Sequence, residues 1–252
     1  MKKWFLGFPK WKRYLYVTTF IFCCFLIVLN FLPFLYYPYH VRAGRIQLYS
    51  FHQLPEEAQY VLSAANDCIA RSEVPSEDTY SVYLCPHRFV FFLSAFLAYD
   101  AFAVAQWNSI FVANADVVNN VAYSGHATNN KRTLSGVIAH EAGHVLLAKK
   151  FGAISHRYFL PTWKVEGYCD YLAQDSSFDE ENGIKCILLG QVPDSHSFRY
   201  FLWRKRVEYL IEVKRMDLDS VFRDNPVLLD LDKEVSEWLK MMAEPSGPLI
   251  KH

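Results

Sequence analysis

The sequence predicts an α+β fold, mostly helical with a small sheet, preceded by one N-terminal transmembrane helix. Three observations predict it: an uncharged apolar stretch near the N-terminus, several segments with apolar residues at helical spacing, and two short runs rich in β-branched and aromatic residues. The 252 residues suffice for one domain and an anchor. Basic and acidic residues balance at 26 each, without the positive excess of a nucleic-acid-binding domain, so we expect no nucleic-acid partner.

Residues 14–37 carry no charged side chain and have tyrosines at both ends, as is typical of a membrane-spanning helix. Segment 1–13 holds more Lys and Arg than the segment after the span. This bias predicts a single-pass protein with a cytoplasmic N-terminus and its remaining residues outside the cytoplasm, in the periplasm if the source is bacterial. A cleaved signal peptide is the alternative, but its apolar region is usually about 7–15 residues long, and no small-residue cleavage site follows here.

Beyond the span, residues 38–54 are expected to form a juxtamembrane connector to a domain over residues 55–252. Helical periodicity and capping residues predict helices over 55–72, 133–150, 162–173 with Thr162 as the N-cap, 196–215 and 232–242. Strands are predicted over 80–85 and 109–113, with polar loops over 119–130 and 175–183.

The stretch 89–105 is apolar enough to raise the alternative of a second span, which would return the later residues to the cytoplasm. Asp100 lies well inside this stretch, and a carboxylate there would be costly in lipid. We therefore favour a buried helix or loop that leads into a strand.

Four cysteines follow the span, and their even number is compatible with two disulfides in any of three pairings. Four buried free thiols are the alternative. None of them has the close paired spacing of a structural zinc site. These residues are Cys68, Cys85, Cys169 and Cys186.

The sequence AHEAGH, residues 139–144, lies in a predicted helix. His140 and His144 are four positions apart and therefore share one helix face, where they can bind one metal ion together. Glu141 lies beside them and can act as general base on a water molecule at that ion.

A second helix carries VEGYCDY, residues 165–171, in which Glu166 and Asp170 share a face. A catalytic zinc site uses three protein ligands and leaves one position open, so Glu166 supplies the third ligand. Asp170 can accept a hydrogen bond from the outer nitrogen of a ligand histidine and fix its orientation. The sequence therefore predicts one Zn²⁺ ion bound by His140, His144 and Glu166.

Over residues 109–173 the chain resembles the gluzincin-type zinc metallopeptidases, which have a thermolysin-like, or zincin, catalytic domain. The resemblance implies hydrolysis of a peptide or protein substrate, with Glu141 as the base and Asp170 as the acid that orients a ligand histidine. It also implies an edge strand that binds the substrate backbone, formed by Ile110, Phe111, Val112 and Ala113. A metzincin site is disfavoured, since His156 does not have the spacing of that family's third histidine.

The reaction also needs a hydrogen-bond donor that stabilises the oxyanion of the transition state. Tyr158, His156, His196 and Tyr200 are the candidates, and the resemblance favours His196 or Tyr200, because relatives often place this donor near the helix that follows the glutamate helix. His87 and His126 do not have the spacing of a metal ligand relative to another candidate, so we assign them no role in the site.

These observations favour a membrane-anchored zinc metallopeptidase. Two alternatives stay open: a catalytically inactive zinc-binding sensor or peptide-binding membrane protein, and a structural membrane protein with a chance motif. The intact base Glu141 argues against a pure binding site, which has no need of it.

Overall fold

The computed structural model describes residues 9–95, 100–124 and 130–243. This part of the chain is α+β, with ten α-helices and eight strands. The helices are α1 (Lys10–Phe31), α2 (Glu57–Ile69), α3 (Arg88–Ser94), α4 (Leu134–Phe151), α5 (Ala153–Tyr158), α6 (Thr162–Ala173), α7 (Glu180–Leu188), α8 (His196–Glu208), α9 (Leu218–Arg223) and α10 (Leu228–Ala243). The strands are β1 (Tyr39–Ala43), β2 (Ile46–Ser50), β3 (Tyr80–Leu84), β4 (Ala103–Gln106), β5 (Ser109–Val112), β6 (Ala115–Asp116), β7 (Val121–Tyr123) and β8 (Lys131–Thr133).

Five strands form a mixed sheet in the order β1-β2-β3-β5-β4. The central pairs, β2 with β3 and β3 with β5, are parallel, and the outer pairs are antiparallel. β6, β7 and β8 make a separate three-stranded antiparallel sheet that leads directly into α4. Among the described residues, β4 is thus the outermost strand on one side of the five-stranded sheet.

The two faces of the five-stranded sheet are buried in different cores. Alternate residues such as Leu48, Val82 and Ile110, all fully buried, join the main core with α2, α4 and α6. The intervening residues Tyr83 and Phe111 face a smaller aromatic core on the other side. This alternation follows from the period of two in a strand, and it places the helices α4 and α6 on one side only.

Helix α1 is long and apolar enough to cross a membrane, the one such helix among the described residues, and a signal sequence would satisfy the same test. The predicted span 14–37 extends too far, because the α-helix ends at Phe31 and a 3-10 turn, Pro33–Leu35, follows. Tyr37 was expected at the membrane surface, but it is 3% exposed and packs on Phe51 and Tyr83 in the aromatic core.

The prediction of a connector over residues 38–54 is wrong. β1 and β2 form a hairpin there, with the turn at Gly44 in the left-handed region at φ 55°. Ile46 and Leu48 are fully buried in the main core, so the hairpin is part of the domain. The prediction failed because the alternating pattern of β2 is only five residues long.

The second-span alternative is not supported by the described part of residues 89–105. α3 has seven residues and rises about 10 Å, far less than a bilayer core. β4 then pairs with β5 at the sheet edge. Residues 96–99 of this stretch lie outside the described residues.

The helices that carry the two motifs are confirmed. Thr133 caps α4 by accepting a hydrogen bond from the N–H of Gly136, and α6 covers Thr162–Ala173, with Pro161 rather than Thr162 at the N-cap. The predicted helix 196–215 is α8 followed by a π-helical turn over Tyr209–Val213. α7 begins inside the predicted loop 175–183, at Glu180.

Close packing of α4, α6 and α8 depends on glycines at the crossings. A Cβ atom on Gly143 of α4 would lie 3.0 Å from Sγ and 3.2 Å from Cα of Cys169 on α6. A Cβ atom on Gly167 of α6 would lie 2.5 Å from the backbone oxygen of Trp203 on α8. The three helices can therefore approach to backbone contact, which brings their polar side chains together.

Candidate metal centre

Helix α4 presents the first motif on its buried face. His140 and Glu141 are each 8% exposed, and the His140 and His144 rings lie edge to face with centroids 5.0 Å apart. Consecutive turns of a helix place residues i and i+4 on the same side, so both imidazoles point to one region beside α6.

Helix α6 brings Glu166 to the same region. Its Oε2 atom lies 3.4 Å from Nε2 of His140 and 3.7 Å from Nε2 of His144. Two ligand atoms about 2.1 Å from one ion in tetrahedral geometry are about 3.4 Å apart. The distances from the carboxylate oxygen to the two ring nitrogens are thus close to those between ligands of a single ion.

Cys169 forms a second three-residue group with the same histidines. One potential ligand atom from each of His140, His144 and Cys169 lies within 4.8 Å of the other two, and this buried group could hold a metal ion. Burial, together with the charges of Glu166 and Glu141, raises the pKa of the Cys169 thiol well above its ordinary value. A metal binds the thiolate of a cysteine, whereas the carboxylate of Glu166 is already charged at neutral pH, because, against the effect of burial, His144 and His140 lower its pKa.

Asp170, one turn after Glu166, orients His140 as expected for such an acid. Its Oδ1 atom lies 2.7 Å from Nδ1 of His140 and 2.8 Å from the guanidinium of Arg132. Burial alone would raise the pKa of Asp170, but Arg132 and His140 hold it below its ordinary value. Burial likewise opposes the charged form of His140, yet Asp170 outweighs it and raises the pKa of His140 to about 10.

Arg132 was not predicted as a site residue from the sequence, in which it lies just after the predicted loop 119–130. It lies on β8 with its side chain 8% exposed, and it donates a hydrogen bond to the backbone oxygen of Asp175 as well as pairing with Asp170. Asp175 also accepts hydrogen bonds from the N–H and hydroxyl of Thr133, at the start of α4. No local sequence pattern indicates a role for Arg132, because its partners Asp170 and Asp175 lie far along the chain, in α6 and just after it.

The outer nitrogen of His144 contacts His156 of α5, with Nδ1 and Nε2 3.2 Å apart. Burial lowers the pKa of His144 to about 4, so this ring is neutral at physiological pH. With its proton on Nδ1, the His144 ring donates a hydrogen bond to Nε2 of His156. The lone pair on Nε2 of His144 then points towards Glu166. His156 therefore orients a candidate ligand histidine, a role that its sequence spacing did not indicate.

Glu141 reaches the edge of the five-stranded sheet. Its Oε2 atom accepts a hydrogen bond of 2.7 Å from the N–H of Ala105 on β4. Burial is the main cause that raises the pKa of this carboxyl, and the nearby charge of Glu166 acts in the same direction. The carboxyl thus has the shifted proton affinity and the fixed orientation that a general base needs.

A cleft of about 910 Å³ opens over these residues, between β4, α4, α6 and α8. His156, His196 and Tyr200 line it, and the last two rings lie with centroids 6.0 Å apart. Burial, with the charges of Glu166 and Asp170, raises the pKa of Tyr200. Tyr158 does not line the cleft and is 74% exposed.

The predicted edge strand is wrong. β5, which contains Ile110, Phe111 and Val112, lies between β3 and β4. These three residues and the following Ala113 are at most 3% exposed. The edge next to the cleft is β4, whose sequence AVAQ ends an apolar stretch and gives only a weak strand signal. Strand β5 was thus predicted correctly, but β4, its neighbour on the side of the cleft, was not predicted.

All six cysteines are free thiols, so no disulfide forms among the four beyond the span. The alternative of four buried free thiols is correct in part, because Cys85 and Cys169 are buried while Cys68 and Cys186 are partly exposed. Cys85 contacts the hydroxyl of Tyr37 in the aromatic core, and Cys68 contacts the backbone oxygen of Ala173. Cys169 fills the crossing at Gly143.

Comparison with protein-family models, with curated proteins and with solved structures finds no match for this chain. Its chemistry is therefore inferred from the residues of the cleft. These are two imidazoles, the Glu166 carboxylate within 3.7 Å of both, and the Glu141 carboxylate, which is hydrogen-bonded to β4.

Proposed function

We propose that the protein is a membrane-anchored zinc metallopeptidase with a zincin-type site. The observation that carries the proposal is the position of Glu166, whose Oε2 atom lies 3.4 Å and 3.7 Å from the inner nitrogens of His140 and His144. Nitrogen and oxygen ligands at these separations suit Zn²⁺. Glu141, adjacent to His140, completes the set of groups that hydrolysis requires.

His140, His144 and Glu166 would hold the ion, and Asp170 and His156 would fix the two rings from behind. A zinc ion bound there would supply a Lewis acid and would make a water molecule at its fourth position acidic near neutral pH. The outer hydrogen bonds would orient each imidazole with its Nε2 atom towards the ion.

Glu141 would take a proton from water in the cleft as the water attacks the scissile carbonyl, and would then give it to the leaving nitrogen. The N–H of Ala105 fixes this carboxylate and leaves its other oxygen atom for the transfer. The raised pKa of Glu141 means that its carboxylate has a higher affinity for the proton.

Tyr200 or His196 would donate a hydrogen bond to the oxyanion, since both line the cleft. The raised pKa of Tyr200 keeps its phenol protonated at neutral pH, as a donor must be. Both residues belong to the start of α8, which packs on α6 across Gly167, so they are held in place relative to Glu166.

An extended peptide would add to the sheet at its outermost strand on this side, β4. The carbonyl of Phe102 accepts a hydrogen bond from Ala113, so the N–H and C=O groups of Ala103 and Ala105 face away from β5. The N–H of Ala105 is bound to Glu141, so the peptide would pair with Ala103 and with the carbonyl of Ala105. A substrate paired with β4 would lie directly beside Glu141. β4 thus replaces the strand assigned from the sequence as the substrate-binding edge.

Helix α1 would be a retained anchor rather than a cleaved signal. Asn30 is 8% exposed and Tyr37 packs in the aromatic core, so the end of the helix is part of the folded domain. The basic residues before the helix would place the N-terminus in the cytoplasm and the cleft on the other side of the membrane.

The Glu141→Gln variant tests the proposal. We expect it to bind one equivalent of zinc, as the wild type does, and to lose hydrolysis of a peptide library by about 10²–10⁴-fold, the usual contribution of a general base. Undiminished hydrolysis by Glu141→Gln would reject the mechanism. A wild-type protein that binds zinc but cleaves no peptide would favour the sensor alternative.

A further inference from the structure

We propose that α3 and the 3-10 turn after α1 lie in the outer interface of the bilayer, so that the β4 edge takes juxtamembrane segments of membrane-anchored polypeptides. The inference rests on the proposed anchor and peptidase and adds a membrane contact and a substrate class to them. It follows from the length of α1, the contacts at its end and the hydrogen bonds between that end and the cleft.

The length of α1 fixes where the membrane ends. Lys10, Lys12 and Arg13 keep the start of the helix outside the hydrocarbon, so the apolar part begins at Tyr14. From there to Phe31 the helix rises about 27 Å, and the hydrocarbon core is about 30 Å thick. The whole apolar part is needed to cross, which places its last turn at the outer boundary of the core.

α3 packs against that last turn. The side-chain amide of Asn30 donates hydrogen bonds to the backbone oxygens of Leu26, at 2.9 Å, and of Leu93 in α3, at 3.4 Å. The hydroxyl of Tyr36 donates to the backbone oxygen of Leu29 at 2.6 Å. α3 is therefore fixed at the level where α1 leaves the membrane.

The elements around this exit expose large apolar side chains, which we call the exit patch. Phe89 of α3 is 67% exposed, and Leu32, Phe34 and Leu35 after α1 are 39%, 50% and 63% exposed. Side chains of this kind are favoured in the membrane interface and disfavoured in water. Because Leu32, Phe34 and Leu35 directly follow the anchor in the chain and α3 contacts its last turn, a lipid bilayer is the partner that fits the exit patch.

The exit patch is connected to the cleft by a short path. The side-chain amide of Gln106, at the end of β4, donates a hydrogen bond to the backbone oxygen of Ser94, the last residue of α3. The preceding residue, Ala105, donates a hydrogen bond through its N–H to Glu141. The general base and the membrane-proximal helix thus contact neighbouring residues at the C-terminal end of β4, so a chain that emerges from the bilayer reaches this edge within a few extended residues.

Photo-crosslinking tests the membrane contact without reference to activity. The full chain in phosphatidylcholine and phosphatidylglycerol nanodiscs would carry p-benzoylphenylalanine at position 89, or at position 60 as control, since Tyr60 on α2 is 78% exposed and far in sequence from the exit patch. We expect a lipid adduct by mass spectrometry at position 89 and at least tenfold less at position 60. No adduct at 89, or equal adducts at both positions, would overturn the placement.

Cleavage in the same nanodiscs tests the substrate class. The probe is a degenerate-sequence polypeptide fused to one transmembrane helix, compared with the same polypeptide without the helix. We expect the tethered form to be cut at least tenfold faster, within about ten residues of the membrane, since each extended residue spans about 3.3 Å.

Equal rates, or cuts spread along the probe, would overturn the substrate class and leave the peptidase intact. Cleavage of neither form would reject the proposed peptidase and the substrate class with it. The lipid adduct at position 89 decides the membrane contact in either case.

Discussion

Asp170→Asn removes the charge that orients His140, one of the proposed zinc ligands, while keeping the size of the side chain. Asp170 is 1% exposed and joins Nδ1 of His140 at 2.7 Å to Arg132 at 2.8 Å. Loss of a buried partner of this kind lowers metal affinity about 10–100-fold, which corresponds to about 1.4–2.7 kcal/mol. We expect zinc affinity of Asp170→Asn to fall within that range.

The assay is a competition titration of the full chain in nanodiscs with a chromophoric zinc chelator. Asp175→Asn is the matched control, because Asp175 also contacts Arg132 but does not contact His140. We expect this control to change zinc affinity by less than about threefold, even though it loses hydrogen bonds at the start of α4. Equal losses in both variants would refute a direct action of Asp170 on His140.

The pH dependence of stability gives a second test of the same charge. Arg132 and His140 hold the pKa of Asp170 below its ordinary value of 3.8, so its contribution to folding is complete above about pH 4 and is lost as the pH falls through the folded-state pKa. In urea unfolding of the metal-free protein, we expect the wild type to be more stable than Asp170→Asn at pH 6, and the difference to shrink below pH 4. A difference that does not change with pH would contradict this.

Two further predictions concern residues packed around the site. His156→Ala should lower zinc affinity about tenfold, because it removes the partner 3.2 Å from Nδ1 of His144, whereas Tyr158→Ala on the same helix should leave it unchanged. Gly167→Ala should lower the free energy of unfolding by about 1–3 kcal/mol in urea titration, because its methyl group would lie 2.5 Å from the backbone oxygen of Trp203. Unchanged unfolding of Gly167→Ala would show that α6 and α8 can separate at no cost.

The helices that carry the motifs could be predicted because their signals are local. Thr133 caps α4 and Gly152 ends it, and the four-residue spacings in α4 and α6 place the candidate ligands on one face of each helix. Periodicity of this kind needs no knowledge of the rest of the chain. That Glu166 approaches both histidines could only be expected from the ligand number of zinc.

The parts that could not be predicted depend on contacts between distant segments. β1 and β2 gain their place in the sheet by pairing with β3, and Arg132 is buried only because Asp170 and Asp175 meet it. The order of strands in a sheet is not encoded in any one strand, so β5 was assigned to the edge that β4 occupies. The end of α1 was misplaced for a similar reason, since Tyr37 packs in a protein core rather than at lipid.

The identity of the third ligand is the central claim, and zinc K-edge absorption fine structure of the full chain loaded with one equivalent of zinc tests it most directly. The account predicts a first shell of nitrogen and oxygen only, at about 2.0–2.2 Å, from His140, His144, Glu166 and water. A sulfur atom at about 2.3 Å would contradict it and would assign the third position to Cys169.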